Sequence, residues 1–276
     1  MRTRIISGAV MIAAVVGILA AGGYVAGCAI MLIAVGSYFE LCRACGLLEE
    51  KKIVNGITIA GYVATILYYI NMMWGCSEYA TTINTIILLV VILWQLAVYV
   101  FTYPKYKSGQ VMSGVFNLLY APFMLSYLYL ILKEFDKGLY LVILVFIASS
   151  VSDMCAYFVG VSIGKHKLAP VVSPKKSIEG SIGGILGAAI VGFVFGLILN
   201  KNGIFGSEAL WAFAVIGGVG SIISQIGDLA ASAIKRDHGI KDYSHLIPGH
   251  GGLMDRLDSI CVTAPIIYYL AMFLIK

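Results

Sequence analysis

Apolar stretches of about 20 residues recur along almost the entire chain, and they limit its possible folds more than any other feature of the sequence. Of the 276 residues, 60% are hydrophobic and 12% are charged, and the mean hydropathy is +0.94. A soluble domain usually carries about 25% charged residues. Because a helix needs about 20 apolar residues to cross a bilayer, the sequence predicts an all-α, polytopic integral membrane protein.

We predict nine transmembrane helices from the apolar stretches. They cover residues 5–22, 24–41, 53–72, 80–101, 111–132, 139–163, 180–199, 209–231 and 257–275. The first stretch also fits a secretory signal peptide. We expect it to be retained, because its loss would spoil the asymmetry of basic residues across the membrane.

Lys and Arg are distributed unequally between the two ends of these helices. With the N-terminus in the cytoplasm, 15 of the 19 Lys and Arg residues fall on the inner side and four on the outer side. Inner loops of membrane proteins carry such an excess. We therefore expect a cytoplasmic N-terminus in a bacterial-type inner membrane. The net charge of +5 follows from this orientation, and we expect no nucleic-acid partner.

The two halves of the chain differ in polar content. Residues 1–138 contain little besides apolar spans and short loops, and they predict a transmembrane scaffold that offers a dimer contact surface. From residue 139 onward, polar residues enter the spans themselves. Ionisable groups are costly in lipid and usually face a cavity or a site, so residues 139–276 predict a transmembrane catalytic region.

The first polar segment is SSVSDMCAYFVGVSIGKHK. On a helix, Ser149, Asp153, Tyr157, Gly160 and Gly164 follow steps of three and four residues and share one face. We expect Asp153 to face a site. A buried Asp paired with a lysine for packing is the alternative.

The second segment, SPKKSIEGSIGG, lies on the predicted inner side. Ser173, Lys175, Lys176 and Ser177 supply several donors and two positive charges, which suit a polyphosphate. Glu179 falls in the first turn of the next helix, where the dipole favours it. A basic loop that only sets orientation is the alternative. The glycines of the next helix predict close helix packing: Gly180, Gly184, Gly187, Gly192 and Gly196.

The third segment, SIISQIGDLAASAIKRD, carries a polar stripe on an otherwise apolar helix. The stripe is formed by Ser221, Ser224, Asp228, Ser232 and Lys235. It runs from within the bilayer to the inner edge. A stripe of this kind predicts a wet groove rather than contact with lipid.

A turn rich in glycine follows this helix. Pro248 and the glycines at 249, 251 and 252 predict a tight turn that allows close backbone approach to a ligand. A helix is expected to restart after Gly252, with free N–H groups that form an anion site.

Three carboxylates are expected to meet at the inner rim. Asp255 and Asp258 are three residues apart on the restarted helix, and Asp228 belongs to the polar stripe. Ligands that are all oxygen favour a hard cation such as Mg²⁺. Acids beside Lys and Arg fit a magnesium ion that holds a nucleoside triphosphate, and the apolar groove fits a lipid.

The run SAIKRDHGIKDYSHLIPGHGGLMDRLDS closely resembles the signature of the phosphatidate cytidylyltransferases, also called CDP-diacylglycerol synthases. The matching residues are Ser232, Lys235, Arg236, Lys241, Asp242, Pro248, Gly249, His250, Gly251, Gly252, Asp255, Arg256 and Asp258. The SPKKSIEG and SQIGDL segments also look like motifs of this family. The motif resemblance covers about the last 130 residues. Before them, the likeness is to a multi-span scaffold.

The resemblance implies a magnesium-dependent reaction of CTP with phosphatidate that gives CDP-diacylglycerol and pyrophosphate, and it suggests a homodimer. The distribution of Lys and Arg places the site at the cytoplasmic face. Asp228 and Asp255 are assigned to the metal, with Asp258 either as a third ligand or as a residue that supports the ligands. The cations Lys235, Arg236, Lys241 and Arg256 are assigned to substrate phosphates. The remaining assigned substrate contacts are Ser173, Lys175, Lys176, Ser177, Ser224, Ser232, Gly249, His250, Gly251 and Gly252. His250 is taken as a positioning donor, with a structural turn histidine as the alternative.

Two other functions stay open at this point. A CTP-dependent lipid kinase of the polyprenol or phytol type would need a hydroxyl acceptor and would release CDP. A non-enzymatic transporter would use Asp153 and Asp228 for ion passage. The clustering of the polar residues at one membrane face argues against transport.

Overall fold

The computed structural model describes residues 2–49, 52–75 and 78–275, with side chains from residue 6 onward. Lys51 and Lys276, two of the charges that enter the predicted asymmetry, lie outside these residues.

Helices account for most of the described chain. They are α1 (Arg2–Ala21), α2 (Gly23–Ala44), α3 (Thr58–Trp74), α4 (Ala80–Phe101), α5 (Ser108–Leu118), α6 (Met124–Glu134), α7 (Gly138–Phe146), α8 (Ser152–Ile163), α9 (Ile178–Lys201), α10 (Ala209–Asp237) and α11 (Met254–Leu274). Single π-helical turns at Leu119–Phe123 and Ile147–Val151 join α5 to α6 and α7 to α8. Each predicted span coincides with one helix or one joined pair.

Within the described residues, seven of these helices or joined pairs are long and apolar enough to cross a membrane. The other two predicted spans correspond to α1, where the apolar part is Ile6–Ala21, and to α3, which has 17 residues. The protein is therefore a helical integral membrane protein.

A short β-hairpin departs from the predicted all-helical fold. Strand β1 (Lys167–Ala169) pairs antiparallel with β2 (Ser173–Ser177), with Lys167 opposite Ser177 and Ala169 opposite Ser173. The predicted basic loop is thus the second strand of a hairpin. The extended backbone alternates the directions of successive side chains, so Lys175 is exposed whereas Lys176 is half-buried.

The described chain divides into two compact units. The first contains Met1–Tyr129 and His238–Arg256, and the second contains Leu130–Asp237 and Leu257–Lys276. The first division lies near the predicted boundary at residue 138. The signature segment 238–256, which the sequence assigned to the C-terminal region, belongs to the first unit.

In the first unit, the apolar core forms around α2 and its neighbours. Tyr38, Cys42, Ile57, Ala64 and Leu118 are among its buried members. By contrast, α4 buries just two of its 22 residues, Val91 and Gln95, so its apolar surface faces outward.

In the second unit, glycines bring α8, α9 and α10 close together. A Cβ at Gly184 would lie 2.8 Å from the carbonyl oxygen of Ser152, and one at Gly192 would lie 2.6 Å from that of Phe213. Gly180, Gly187 and Gly196 make comparable contacts with Ala156, Cys155 and Phe213. The prediction that this glycine series serves helix packing is confirmed.

The π-turn at Ile147–Val151 changes one predicted helical face. It inserts an extra residue into the helix and so rotates the residues before the turn relative to those after it. Asp153, Tyr157 and Gly160, which were predicted to share one helical face, line the same pocket. Ser149, by contrast, is buried and donates to the carbonyl oxygen of Phe146.

Candidate functional site

The second unit contains a pocket with a volume of about 500 Å³ between α8, the β-hairpin, α9 and α10. This is within the range of about 300–1,000 Å³ that is usual for small-molecule sites. Its polar lining includes Asp153, Lys167, Lys175, Lys176 and Asp228. The apolar lining includes Ala156, Tyr157, Val161 and Leu168. Cations and carboxylates therefore share one cavity with an apolar wall.

Lys176 and Asp228 form an ion pair in this pocket, and both side chains are partly buried, with 25% and 29% exposed. Strand β2 supplies the lysine and α10 supplies the carboxylate. The pair joins two of the segments that the sequence singled out. It also shows that Lys176 can reach the acidic wall of the pocket.

Three carboxylates of the second unit interact electrostatically. Asp228 is a charged neighbour of both Asp153 and Asp258, and Lys176 and Lys235 are the nearby cations. Like charges this close repel one another unless cations lie among them. The arrangement therefore suits a divalent cation, either alone or bound to the phosphates of a substrate.

Gly227 explains how α11 comes so near to Asp228. A Cβ at this position would lie 2.9 Å from the carbonyl oxygen of Asp258 and 2.3 Å from Cγ2 of Val262. The missing side chain allows the backbone of α11 to pack directly against α10. Asp258, which is 8% exposed, is held beside Asp228 by this contact.

The base of the hairpin is fixed by the first residues of α9. The Ser177 hydroxyl caps this helix by accepting a hydrogen bond from the backbone N–H of Gly180 at 3.2 Å. Glu179 accepts from the backbone N–H groups of Lys165 and His166, and its Oε1 lies 2.6 Å from Nδ1 of His166. Ser177 and Glu179 thus hold the hairpin in place.

A network of hydrogen bonds around Gln225 ties the pocket walls together. Its Nε2 donates to the hydroxyl of Ser152 and to the carbonyl oxygen of Ser181, both at 3.2 Å. Its Oε1 accepts from the Ser181 hydroxyl, and Ser221 donates to Ser152 at 2.7 Å. One side chain of α10 therefore links α8 and α9 beneath the pocket.

Replacing Gln225 by Leu should destabilise the second unit by about 1–3 kcal/mol, because buried polar partners lose their hydrogen bonds. The change would appear as a lower melting temperature of the protein purified in detergent. Ser162→Ala is the control, because the Ser162 hydroxyl is exposed and bonds within its own helix to Phe158. Equal melting temperatures for Gln225→Leu and the wild type would contradict the role of the network.

In the first unit, the PGHGG sequence forms the tight turn that was predicted. Ile247 pairs with Gly251 across the turn, and the His250 N–H donates to the carbonyl oxygen of Ile247 at 2.9 Å. Gly249 and Gly251 have φ values of 77° and 81°, which side chains rarely allow. The His250 Nδ1 lies 2.8 Å from the hydroxyl of Ser7 in α1.

The N-terminus of α11 differs from the prediction. The backbone N–H groups of Leu253 and Met254 donate to Glu40 of α2, at 3.0 and 2.8 Å. The Gly252 N–H donates to Asp255 Oδ2 at 3.0 Å, and the Tyr243 N–H donates to the same oxygen at 2.8 Å. The first amides of this helix were expected to form an anion site for substrate, but those of Leu253 and Met254 donate to Glu40 of the protein itself.

The remaining predicted site residues lie on helix ends and in the signature segment. Arg236, Lys241, Pro248, Gly249 and Arg256 are exposed, whereas Lys235, Ser232 and Ser173 are partly buried. The Ser224 hydroxyl is fully buried and has no hydrogen-bond partner among the described residues.

The carboxylate and hydroxyl oxygens of the second unit are the type of ligand that magnesium prefers, but they do not form a complete coordination site. Among the described side chains, no group of three or more His, Cys, Asp or Glu residues is placed to hold a metal ion. Asp255 belongs to the first unit and Asp228 and Asp258 to the second, so the meeting of all three stays a prediction. Magnesium usually takes one or two protein carboxylates and completes its shell with water and phosphate oxygens. Asp228 and Asp258, with the unpartnered Ser224 hydroxyl one turn from Asp228, fit this mode.

Two polar residues, one in each unit, make structural hydrogen bonds but were not among the predicted site residues. Gln225 lies one turn from Ser221, and Glu40 lies in the last two turns of a span that was assigned to scaffold. A polar or ionisable side chain within a predicted span was the available signal. The predicted scaffold region thus contains a buried carboxylate, Glu40.

Fold and pocket together define an integral membrane protein whose second unit has a cavity lined by lysines, carboxylates and an apolar wall. Consistent with this, a model of the cytidylyltransferase family matches residues 2–274. The chain belongs to the cytidylyltransferase family.

Several curated relatives carry the name phosphatidate cytidylyltransferase. The chain is 38% identical to the one from Haemophilus influenzae over 192 residues, and 36% identical to those from Staphylococcus saprophyticus and Thermotoga maritima over 151 residues each. These matches cover 66%, 55% and 55% of this chain, and the same shares of the relatives. The chain thus spans less than two thirds of the relatives' length.

Proposed function

We propose that the protein transfers the cytidylyl group of CTP to phosphatidate and forms CDP-diacylglycerol and pyrophosphate. The pocket of the second unit is the observation that carries this proposal. Its lysines suit the phosphates of both substrates, and its apolar wall suits the glycerolipid. The names of the curated relatives support the same reaction.

In the proposed reaction, a phosphate oxygen of phosphatidate attacks the α-phosphorus of CTP. A new P–O bond forms there, the bond to the β-phosphate oxygen breaks, and pyrophosphate leaves with the electron pair. A phosphomonoester has a second pKa of about 6, so the nucleophile is already an anion near neutral pH. Catalysis thus requires positioning and charge neutralisation rather than a strong general base.

The hairpin lysines would bind the phosphate groups. Lys167 and Lys175 are exposed at the pocket, where a triphosphate can reach them. Lys176 would exchange Asp228 for a phosphate oxygen and so release that carboxylate. The hydroxyls of Ser173 and Ser232 are further proposed donors, while Ser177 acts through the hairpin that it fixes.

We propose Asp228 and Asp258 as magnesium ligands, with the Ser224 hydroxyl beside them. When bound, magnesium would neutralise charge on the phosphates and orient them.

Asp255 orders the signature turn by accepting from two backbone amides. Further positive charge for the phosphates would come from Lys235, Arg236, Lys241 and Arg256. A substrate could come close to the backbone of the turn formed by Gly249, His250, Gly251 and Gly252.

We further propose nine membrane spans, a cytoplasmic N-terminus and a site that faces the cytoplasm of a bacterial-type inner membrane. The distribution of Lys and Arg supports this orientation. A homodimer is proposed as well. The outward-facing apolar surface of α4 supplies area for lipid or for a second copy.

The product of CTP turnover tests the proposal. The purified protein, incubated with CTP labelled at the α-phosphate, Mg²⁺ and phosphatidate in mixed micelles, should release pyrophosphate and move the label into lipid. Removal of Mg²⁺ with a chelator should stop turnover. Release of CDP with a hydroxyl-bearing lipid would instead identify a lipid kinase, and an absence of turnover with any lipid would contradict both enzymes.

A further inference from the structure

Glu40 is a buried carboxylate in α2, 2% exposed, in the part of the chain that the sequence assigned to scaffold. Its Oε1 accepts from the Ser244 hydroxyl at 2.6 Å and from the Leu253 N–H at 3.0 Å. Its Oε2 accepts from the Met254 N–H at 2.8 Å. All three donors belong to the signature segment 238–256.

Two glycines make this close contact possible. A Cβ at Gly252 would lie 2.5 Å from Oε2 of Glu40, and one at Gly36, one turn earlier in α2, would lie 2.6 Å from Cδ1 of Leu253. The face of α2 from Gly36 to Glu40 therefore fits the backbone of residues 252–254 closely. The fit restrains where α11 begins.

The contact is also favourable electrostatically. The first N–H groups of a helix have no partner within the helix, and the helix dipole favours negative charge beside them. Hydrogen bonds from N–H groups to a carboxylate are stronger than those to a neutral acceptor. Glu40 thus fixes the start of α11 from outside, while Asp255 fixes the preceding turn from within.

We propose that Glu40 is a positioning residue for the cytidylyl transfer, an inference that rests on the proposed function. It does not act on substrate, because both its oxygens accept from the signature segment. By holding Leu253 and Met254, it sets the place of the next two residues, Asp255 and Arg256. Its loss would let the segment sample positions in which these groups are misplaced.

Glu40→Gln tests the inference with little change of size. The amide keeps one acceptor oxygen but presents an NH₂ group to backbone donors. We expect the rate of deuterium uptake in peptides that cover residues 244–256 to rise about tenfold, because charge-assisted hydrogen bonds restrain the opening of these amides. We expect kcat to fall by about tenfold or more while KM for CTP changes by less than about threefold, because misplaced groups impair the chemical step.

Glu49→Gln is the matched control. It makes the same chemical change in the same unit, but Glu49 is exposed and pairs with Lys52. Uptake and turnover should stay at wild-type values in this variant. If Glu40→Gln does not fold, Ser244→Ala and Glu40→Asp serve in its place, since each retains a carboxylate near the α11 start. Both should change uptake and kcat in the same direction by a smaller factor.

Three results would overturn the inference. Wild-type uptake at 244–256 in Glu40→Gln would show that Glu40 does not restrain the segment. Raised uptake throughout the first unit with an unchanged kcat would show a general stabilising role. A lower kcat without raised local uptake would show that Glu40 acts in another way. If the wild-type protein does not turn over CTP with phosphatidate, the proposed function fails, whereas the uptake measurement still reports on the restraint.

Discussion

Asp228→Asn is expected to lower CTP turnover by at least about a hundredfold, the scale on which removal of a key charge-stabilising group acts in enzymes. Asp228 pairs with Lys176 and is a charged neighbour of Asp153 and Asp258. The substitution removes the negative charge that pairs with Lys176 and that is proposed to bind magnesium. Steady-state rates with CTP and phosphatidate, at several Mg²⁺ concentrations, measure the effect.

Asp136→Asn is the matched control for this experiment. Asp136 is an exposed acid in the same unit, between α6 and α7, and its loss should leave the rate unchanged. Wild-type turnover by Asp228→Asn would contradict both the metal assignment and the proposed role of the pocket.

A double variant separates catalysis from simple charge pairing. If Lys176 and Asp228 pair only to neutralise each other, Asp228→Asn combined with Lys176→Met should recover part of the stability lost in either single variant, because neither partner of the pair is then left charged alone. We expect turnover to remain lost even when the melting temperature recovers. Recovery of turnover in the double variant would show that the pair is structural.

Gly227→Ala is expected to destabilise the second unit by about 1–3 kcal/mol, the usual range for an added group in a well-packed core. The new methyl group would lie 2.3 Å from Cγ2 of Val262 and 2.9 Å from the carbonyl oxygen of Asp258. Because backbone atoms cannot simply move aside, α10 and α11 must separate. Turnover should fall in parallel, since Asp258 would move away from Asp228.

Gly218→Ala provides the comparison on the same helix. A Cβ at Gly218 would meet Cβ of Ala189 at 3.4 Å, which is ordinary contact, so melting temperature and turnover should change little. Adding Val262→Ala to Gly227→Ala should recover part of the lost stability. An unchanged melting temperature for Gly227→Ala alone would contradict the close packing of these helices.

The sequence by itself determined the membrane class, the helical intervals and the chemical character of the site. The spacing of apolar stretches is enough for this, because the length of a helix that crosses a bilayer is set by the bilayer. Asp153 and Asp228 lie inside predicted spans, and they were predicted to face a site because a charged side chain is unfavourable in contact with lipid. The order of residues in the PGHGG turn predicted its backbone, which needs glycine at two positions.

Tertiary structure alone decided which of these groups meet. The pairing of Lys176 with Asp228, the approach of Asp258 allowed by Gly227, and the capping of α11 by Glu40 each join residues that are far apart in sequence. A helical period tells which side chains share a face, but it does not tell which other helix that face will contact. The anion at the start of α11 therefore turned out to be a carboxylate of α2, more than 200 residues earlier in the chain.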